Sequence, residues 1–224
     1  AGITGDSASN FSVLVDASGH LLAVNSNGFN YSRDNAAAVY QDSAVVGTKT
    51  VNWGVYAGGT INDSNGLRSP QFFQYMLGGE ASTSFSLLNA MPNTNDYLDF
   101  STVVGFTKPV TEGGAVGGSI SEFIVTLKNV GGAIQVYNYS VQVVDAVGRT
   151  WDGNLISPQG LATFTNNPGQ NLNVTCPACP AGPSSGQASG MAIGNPVAGF
   201  VSSYSLQKAG AGVTGSIVAK DSPM

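Results

Sequence analysis

Two cysteines, one histidine and 13 carboxylates are the side chains in this 224-residue sequence most able to do chemistry. The cysteines sit in CPAC, as Cys176 and Cys179 between Pro177 and Pro180. A metal site needs a second Cys or His pair, and the only histidine, His20, is far away in sequence. A thioredoxin-like redox pair should open a helix, and no helix pattern follows these prolines. What remains is a disulfide that stiffens a loop in an oxidising compartment, made within the chain or between chains. His20 follows the turn DASG at 16–19, with no GxSxG elsewhere, and is read as a hairpin-flank residue rather than a base. Asp96, Asp99, Glu112 and Glu122 could supply the paired carboxylates of glycoside hydrolysis, but none lies in a motif that would position a pair. NDSNG at 62–66 has the oxygen-rich look of a calcium loop without its terminal glutamate, and reads as an Asx-turn. No catalytic residue, cofactor or metal site is expected, and the chain is not read as an enzyme.

The elements that must carry these residues are mostly strands. Segments rich in Val, Ile, Thr, Phe and Tyr recur every 8 to 14 residues or so, punctuated by Gly, Asn, Asp and Pro. Strands are expected at 11–15, 20–24, 49–57, 83–89, 99–107, 119–128, 133–145, 149–156, 160–166, 171–175, 188–193, 198–207 and 212–219. Phe123, Val125 and Leu127 alternate with polar neighbours and define one buried face. The run 133–145 carries apolar residues in both phases and is expected to be covered on both sides. Two helices are expected. SPQFFQYMLGG has Ser69 as N-cap, Pro70 in the first turn, Phe72, Phe73, Met76 and Leu77 at helical spacing, and Gly78–Gly79 as terminator. DNAAAVYQ at 34–41 is the second. The sum is an all-β antiparallel barrel of about eight main strands, with one or two short helices and an N-terminal extension or hairpin. Residues 1–48 are read as that extension and 49–224 as the barrel.

Composition narrows the function classes. Charged residues are 9% of the chain, hydrophobic residues 42%, and Lys plus Arg number only 8 for a net charge of −5. That balance disfavours disorder and a phosphate-neutralising nucleic-acid surface. No apolar run of about 18 residues marks a transmembrane helix. The sequons at Asn10, Asn30, Asn62, Asn138 and Asn173 describe a surface rich in Asn and Ser.

VNWGVYAGG at 51–59 resembles the Trp-Gly-x-Trp-x-Gly-Gly signature of proteobacterial secreted and surface proteins, many of which carry a FecR-type domain. Their C-terminal part is similar to the barrel lobes of transferrin-binding-protein-like lipoproteins. The matching positions are Trp53, Gly54, Tyr56, Gly58 and Gly59, followed by ASGMAIGNPVAGFVSSYSL at 188–206 and a closing strand GVTGSIVAK at 212–220. Val55 stands where the signature has a basic residue, Tyr56 where it has a second Trp, and the first residue is no lipid-anchoring cysteine. The resemblance implies a barrel of about eight strands and no ligand. Trp53 is read as a core residue and Gly54 as a point of close backbone approach.

The functional expectation is a secreted structural protein, its signal peptide already removed, that associates with copies of itself into a filament or surface assembly. A low charge limits repulsion between copies. A strand from the N-terminal segment, with Phe11, Val13, Val15, Leu21 and Val24 as its apolar residues, would add to a neighbour's sheet edge. The alternative is a cell-surface β-barrel module that binds a ligand or protein.

Overall fold

A computed structural model describes residues 12–221, apart from 27, 35 and 166–169. In FIVTLKN the expected alternation holds. Phe123, Val125 and Leu127 are buried on strand β11 (Gly118–Val130), which pairs along its length with β12 (Ala133–Asp145). β13 (Thr150–Leu155), β15 (Gln170–Thr175), β16 (Ser184–Ile193), β17 (Gly199–Lys208) and β18 (Ala211–Asp221) follow, each antiparallel to the one before. β18 then pairs with β9 (Tyr97–Phe106), and β9 with β11, so the eight strands close into a ring. The short β10 (Val110–Thr111) extends the ladder on β18, and β14 (Gln159–Gly160) that on β12.

Two bulges shape β12 and β11. The register shifts between Thr126 and Leu127, and the buried phase of β12 changes there from Val136 to Tyr139, Val141 and Val143. Tyr137 and Asn138 are left exposed on the outside. The mixed pattern of 133–145 therefore records a bulge and not a strand covered on both faces.

An eight-stranded barrel is just wide enough inside for side chains to fill it or for one small ligand. Phe100, Phe123, Tyr139, Trp151, Phe164, Phe200 and Leu206 are all 2% exposed or less and pack together with the inward residues of β15 to β18. Phe164 comes from helix α2 (Leu161–Thr165), which plugs one end between Tyr139 and Phe200 at ring distances of 5.4 and 6.3 Å. Helix α1 (Ser84–Ala90) adds Leu87 to the same core, with Met91 just beyond it. Residues 83–89 and 160–166 were expected as strands. Thr83 instead caps α1 by accepting a hydrogen bond from the Ser86 N–H, and the second segment divides into β14 and α2.

Two further sheets precede the ring in sequence. β4 (Ala37–Val46), β5 (Lys49–Ala57) and β8 (Phe72–Gly78) form a three-stranded sheet, ordered β4-β5-β8. β1 (Ser12–Val15), β2 (Leu21–Ser26), β3 (Phe29–Ser32), β6 (Thr60–Asp63) and β7 (Gly66–Arg68) form a five-stranded sheet in that order. The three-stranded sheet is the middle layer. Val51, Trp53 and Met76 pack on Val104, Val201 and Val218 of the barrel wall, while Tyr56, Phe73, Tyr75 and Leu77 pack on Leu21, Val24, Tyr31 and Ile61. The two segments expected as helices, SPQFFQYMLGG and DNAAAVYQ, instead supply β8 and the start of β4 in this layer. β8 is covered on both faces and is apolar in both phases, so its pattern loses the period of two, whereas Ala37, Ala38 and Val39 of β4 are exposed.

Candidate functional site

The signature strand β5 runs through the centre of the middle layer, and its two faces do different things. Trp53, 1% exposed, lies flat on the barrel where strand β9 presents Gly105, and a Cβ there would collide with the indole. Trp53 and Val51 face one core and Tyr56 faces the other. A Cβ on Gly54 would come within 2.7 Å of the Tyr40 carbonyl oxygen and 2.8 Å of the Tyr75 ring. Close approach is thus the reason for glycine at 54. Gly58 and Gly59 take positive φ values of 86° and 93° and turn the chain out of the strand.

On the other face of β5, Tyr56 stacks on Tyr75 at 5.2 Å and donates its hydroxyl proton to the Leu21 carbonyl at 2.8 Å. The Gln41 amide donates to the Tyr56 hydroxyl at 2.8 Å. The Tyr75 hydroxyl lies 2.9 Å from Nδ1 of His20, and the Arg33 guanidinium sits 4.7 Å above the Tyr56 ring. Asp16 closes the turn before His20 by accepting the backbone N–H of His20 and Ser18 at 3.0 and 2.9 Å. Those N–H bonds, that to His20 above all, hold its carboxyl below the ordinary range. Burial pushes the Tyr75 phenol well up, and its hydrogen bond with Tyr56 adds to the shift. His20, Gln41, Tyr56 and Tyr75 therefore form a fixed polar seam joining the outer sheet to the middle one. Burial thus keeps the Tyr75 phenol neutral at ordinary pH.

The other candidate chemistry is dispersed. Cys176 and Cys179 form a disulfide with each other within the chain. They close the turn after β15, and Lys208 Nζ donates to the Cys176 carbonyl at 3.0 Å. Asp96 accepts from the Asn93 backbone N–H at 2.8 Å, and Asp99 accepts from the Thr126 hydroxyl at 2.6 Å, so each is engaged locally. In NDSNG, Asp63 accepts the Asn65 N–H at 2.8 Å, which is the expected Asx-turn, and it joins β6 to β7. Among the described residues no group of three or more His, Cys, Asp or Glu could hold a metal ion. A shallow cleft of about 300 Å³ lies between Glu112 and the β17–β18 turn, and its one cation, Lys208, already serves the disulfide loop.

The N-terminal segment divides. Phe11 lies outside the described residues. Leu21 and Val24 are buried at 0% and 7% against the middle sheet and offer nothing to a neighbour. Val13 is partly buried, while Leu14 and Val15 are 61% and 43% exposed on β1, an edge strand paired only with β2 among the described residues. The opposite edge, β7, carries Leu67 at 76% exposure. Sequence reasoning missed β7, although the NDSNG turn between apolar residues Ile61 and Leu67 was a hairpin signal. No helix among the described residues is long and apolar enough to cross a membrane. Comparison with family models, with curated proteins and with solved structures finds no match, so the likeness to the secreted barrel proteins rests on the VNWGVYAGG motif.

Proposed function

We propose that this protein is a structural, extracellular chain that associates with copies of itself, through its outer sheet, into a filament or surface assembly. The observation that carries the reading is the edge strand β1. It has no charge and no proline, it is uncovered among the described residues, and it displays Leu14 and Val15 to solvent. Natural sheets blunt such edges with lysine or proline unless pairing is their use. Three features add support. Among the described residues the barrel interior is packed with side chains, where a binding barrel would keep a ligand chamber. A charged fraction of 9% lets copies approach without strong repulsion. The Cys176–Cys179 disulfide fits maturation in an oxidising compartment. Negative-stain microscopy of the purified chain tests the reading. Ordered polymers that survive high salt are expected, and a full-length protein that stays monomeric at high concentration overturns it.

A further inference from the structure

The two edges of the outer sheet match one another. Four successive antiparallel pairings separate β1 from β7, so the two edge strands run in the same direction. A β-bulge between Leu14 and Val15 limits the regular part of β1 to Ser12–Leu14, three residues, and β7 is also three residues long. One solvent-facing row crosses the whole sheet in register: Ser12, Asn25, Asn30, Asn62 and Leu67. All five are exposed, and the three central amides repeat at the strand spacing of about 4.8 Å. Each end of the row also sits beside an exposed leucine or is one, Leu14 near Ser12 and Leu67 itself.

From this we infer that copies join head to tail, β7 of one against β1 of the next, so that the five-stranded sheet runs on through the assembly. The inference rests on the self-association reading and names its joint. The occupant of each edge is a second copy because, among the described residues, the two edges have equal lengths of main chain without a sheet partner, run in the same sense, and each carry an exposed leucine. A translated copy meets its neighbour with Leu67 beside Ser12, and the amide row continues across the joint in the manner of an asparagine ladder. Such a contact uses two different surfaces and does not close on itself, so it builds a fibre and not a dimer. Five strands at about 4.8 Å give a rise of about 24 Å per copy. The ordinary twist of about 20–25° per strand turns each copy by about 100–125°, which carries successive barrels to different sides of the axis.

Paired cysteines test the joint in the full chain. Neighbouring strands hold Cα atoms about 4.8 Å apart, within the span of a disulfide. Ser12→Cys and Leu67→Cys are both surface changes, and the native pair is already oxidised and buried. After mild oxidation the double variant is expected to give a ladder of covalent multimers on a non-reducing gel. Each single variant is expected to run as a monomer on that gel, and an equal mixture of the two singles to stop at the covalent dimer. Covalent dimers from Ser12→Cys alone, or from Leu67→Cys alone, would mean two-fold pairing of like edges and overturn the head-to-tail joint while leaving self-association intact. An absence of covalent product from a double variant that still polymerises places the joint elsewhere and also overturns it. If neither the variants nor the unaltered chain polymerises, the function proposal fails together with this one.

Discussion

The barrel and the outer five-stranded sheet are built of similar residues, yet one is sealed and the other is open. In the barrel every strand of the ring has two neighbours, β18 meets β9, and aromatic rings fill the lumen. In the outer sheet the order β1-β2-β3-β6-β7 leaves two edges among the described residues, and one face is a polar row open to water. Closure satisfies the main chain of the ring internally, whereas an open sheet leaves hydrogen-bonding groups for a partner. The middle sheet joins the two, held to the barrel by Trp53 on Gly105 and to the outer sheet by the bonds of Tyr56 to the Leu21 carbonyl and of Tyr75 to His20.

If that division is right, substitutions should separate stability from assembly. The largest loss is expected from Phe164→Ala, which empties the plugged end of the barrel between Tyr139 and Phe200. It should cost about 3–5 kcal/mol in denaturant unfolding.

Asp145 comes next. Burial raises its carboxyl, but the Trp151 indole N–H, at 2.9 Å, and the Arg149 and Val147 donors outweigh that and hold it below the ordinary range. A carboxyl lowered by folding contributes stability above its unfolded value of about 4 and loses it as pH falls through the lower folded value. Asp145→Ala should therefore cost about 3 kcal/mol at neutral pH and much less in acid, read from unfolding curves at both.

Gly105→Ala probes the joint between barrel and middle sheet. The new methyl meets the Trp53 indole, and a loss of about 1–3 kcal/mol is expected. In a Trp53→Ala background the same change should cost almost nothing, and a double-mutant cycle measures the difference. At the small end, Asn30→Ala on the open face should move folding stability by no more than about 0.5 kcal/mol.

The barrel was the most legible region because its strands are buried on one face. Phe123, Val125 and Leu127 announce themselves by alternation, and the β-bulge at Tyr137 hid only a local change of phase. The middle layer was the least legible. In FFQYML, Phe73, Tyr75 and Leu77 face one core while Gln74 and Met76 face the barrel, so Phe72, Phe73, Met76 and Leu77 fall at helical spacing by coincidence. SFSLL misled in the other direction, since Phe85 and Leu87 alternate as in a strand although Phe85 is 74% exposed on helix α1. The disulfide could be inferred from two cysteines among prolines, while its pairing within the chain needed the structure. Of the candidate association surface, β1 could be seen in its apolar residues. The row Ser12–Asn25–Asn30–Asn62–Leu67 could not, because its members are neighbours only through pairing of strands up to three places apart in the chain.

The central claim is that an open edge, and not the barrel, makes this protein assemble. Sedimentation velocity of Leu14→Lys beside the unaltered chain, at equal concentration and in high salt, tests it most directly. Leu14 is 61% exposed, so a lysine there leaves the fold intact while placing a charge on the β1 edge. The expected result is large species from the unaltered chain and a monomer of normal stability from the variant. A variant that forms polymers as large as those of the unaltered chain would contradict the claim.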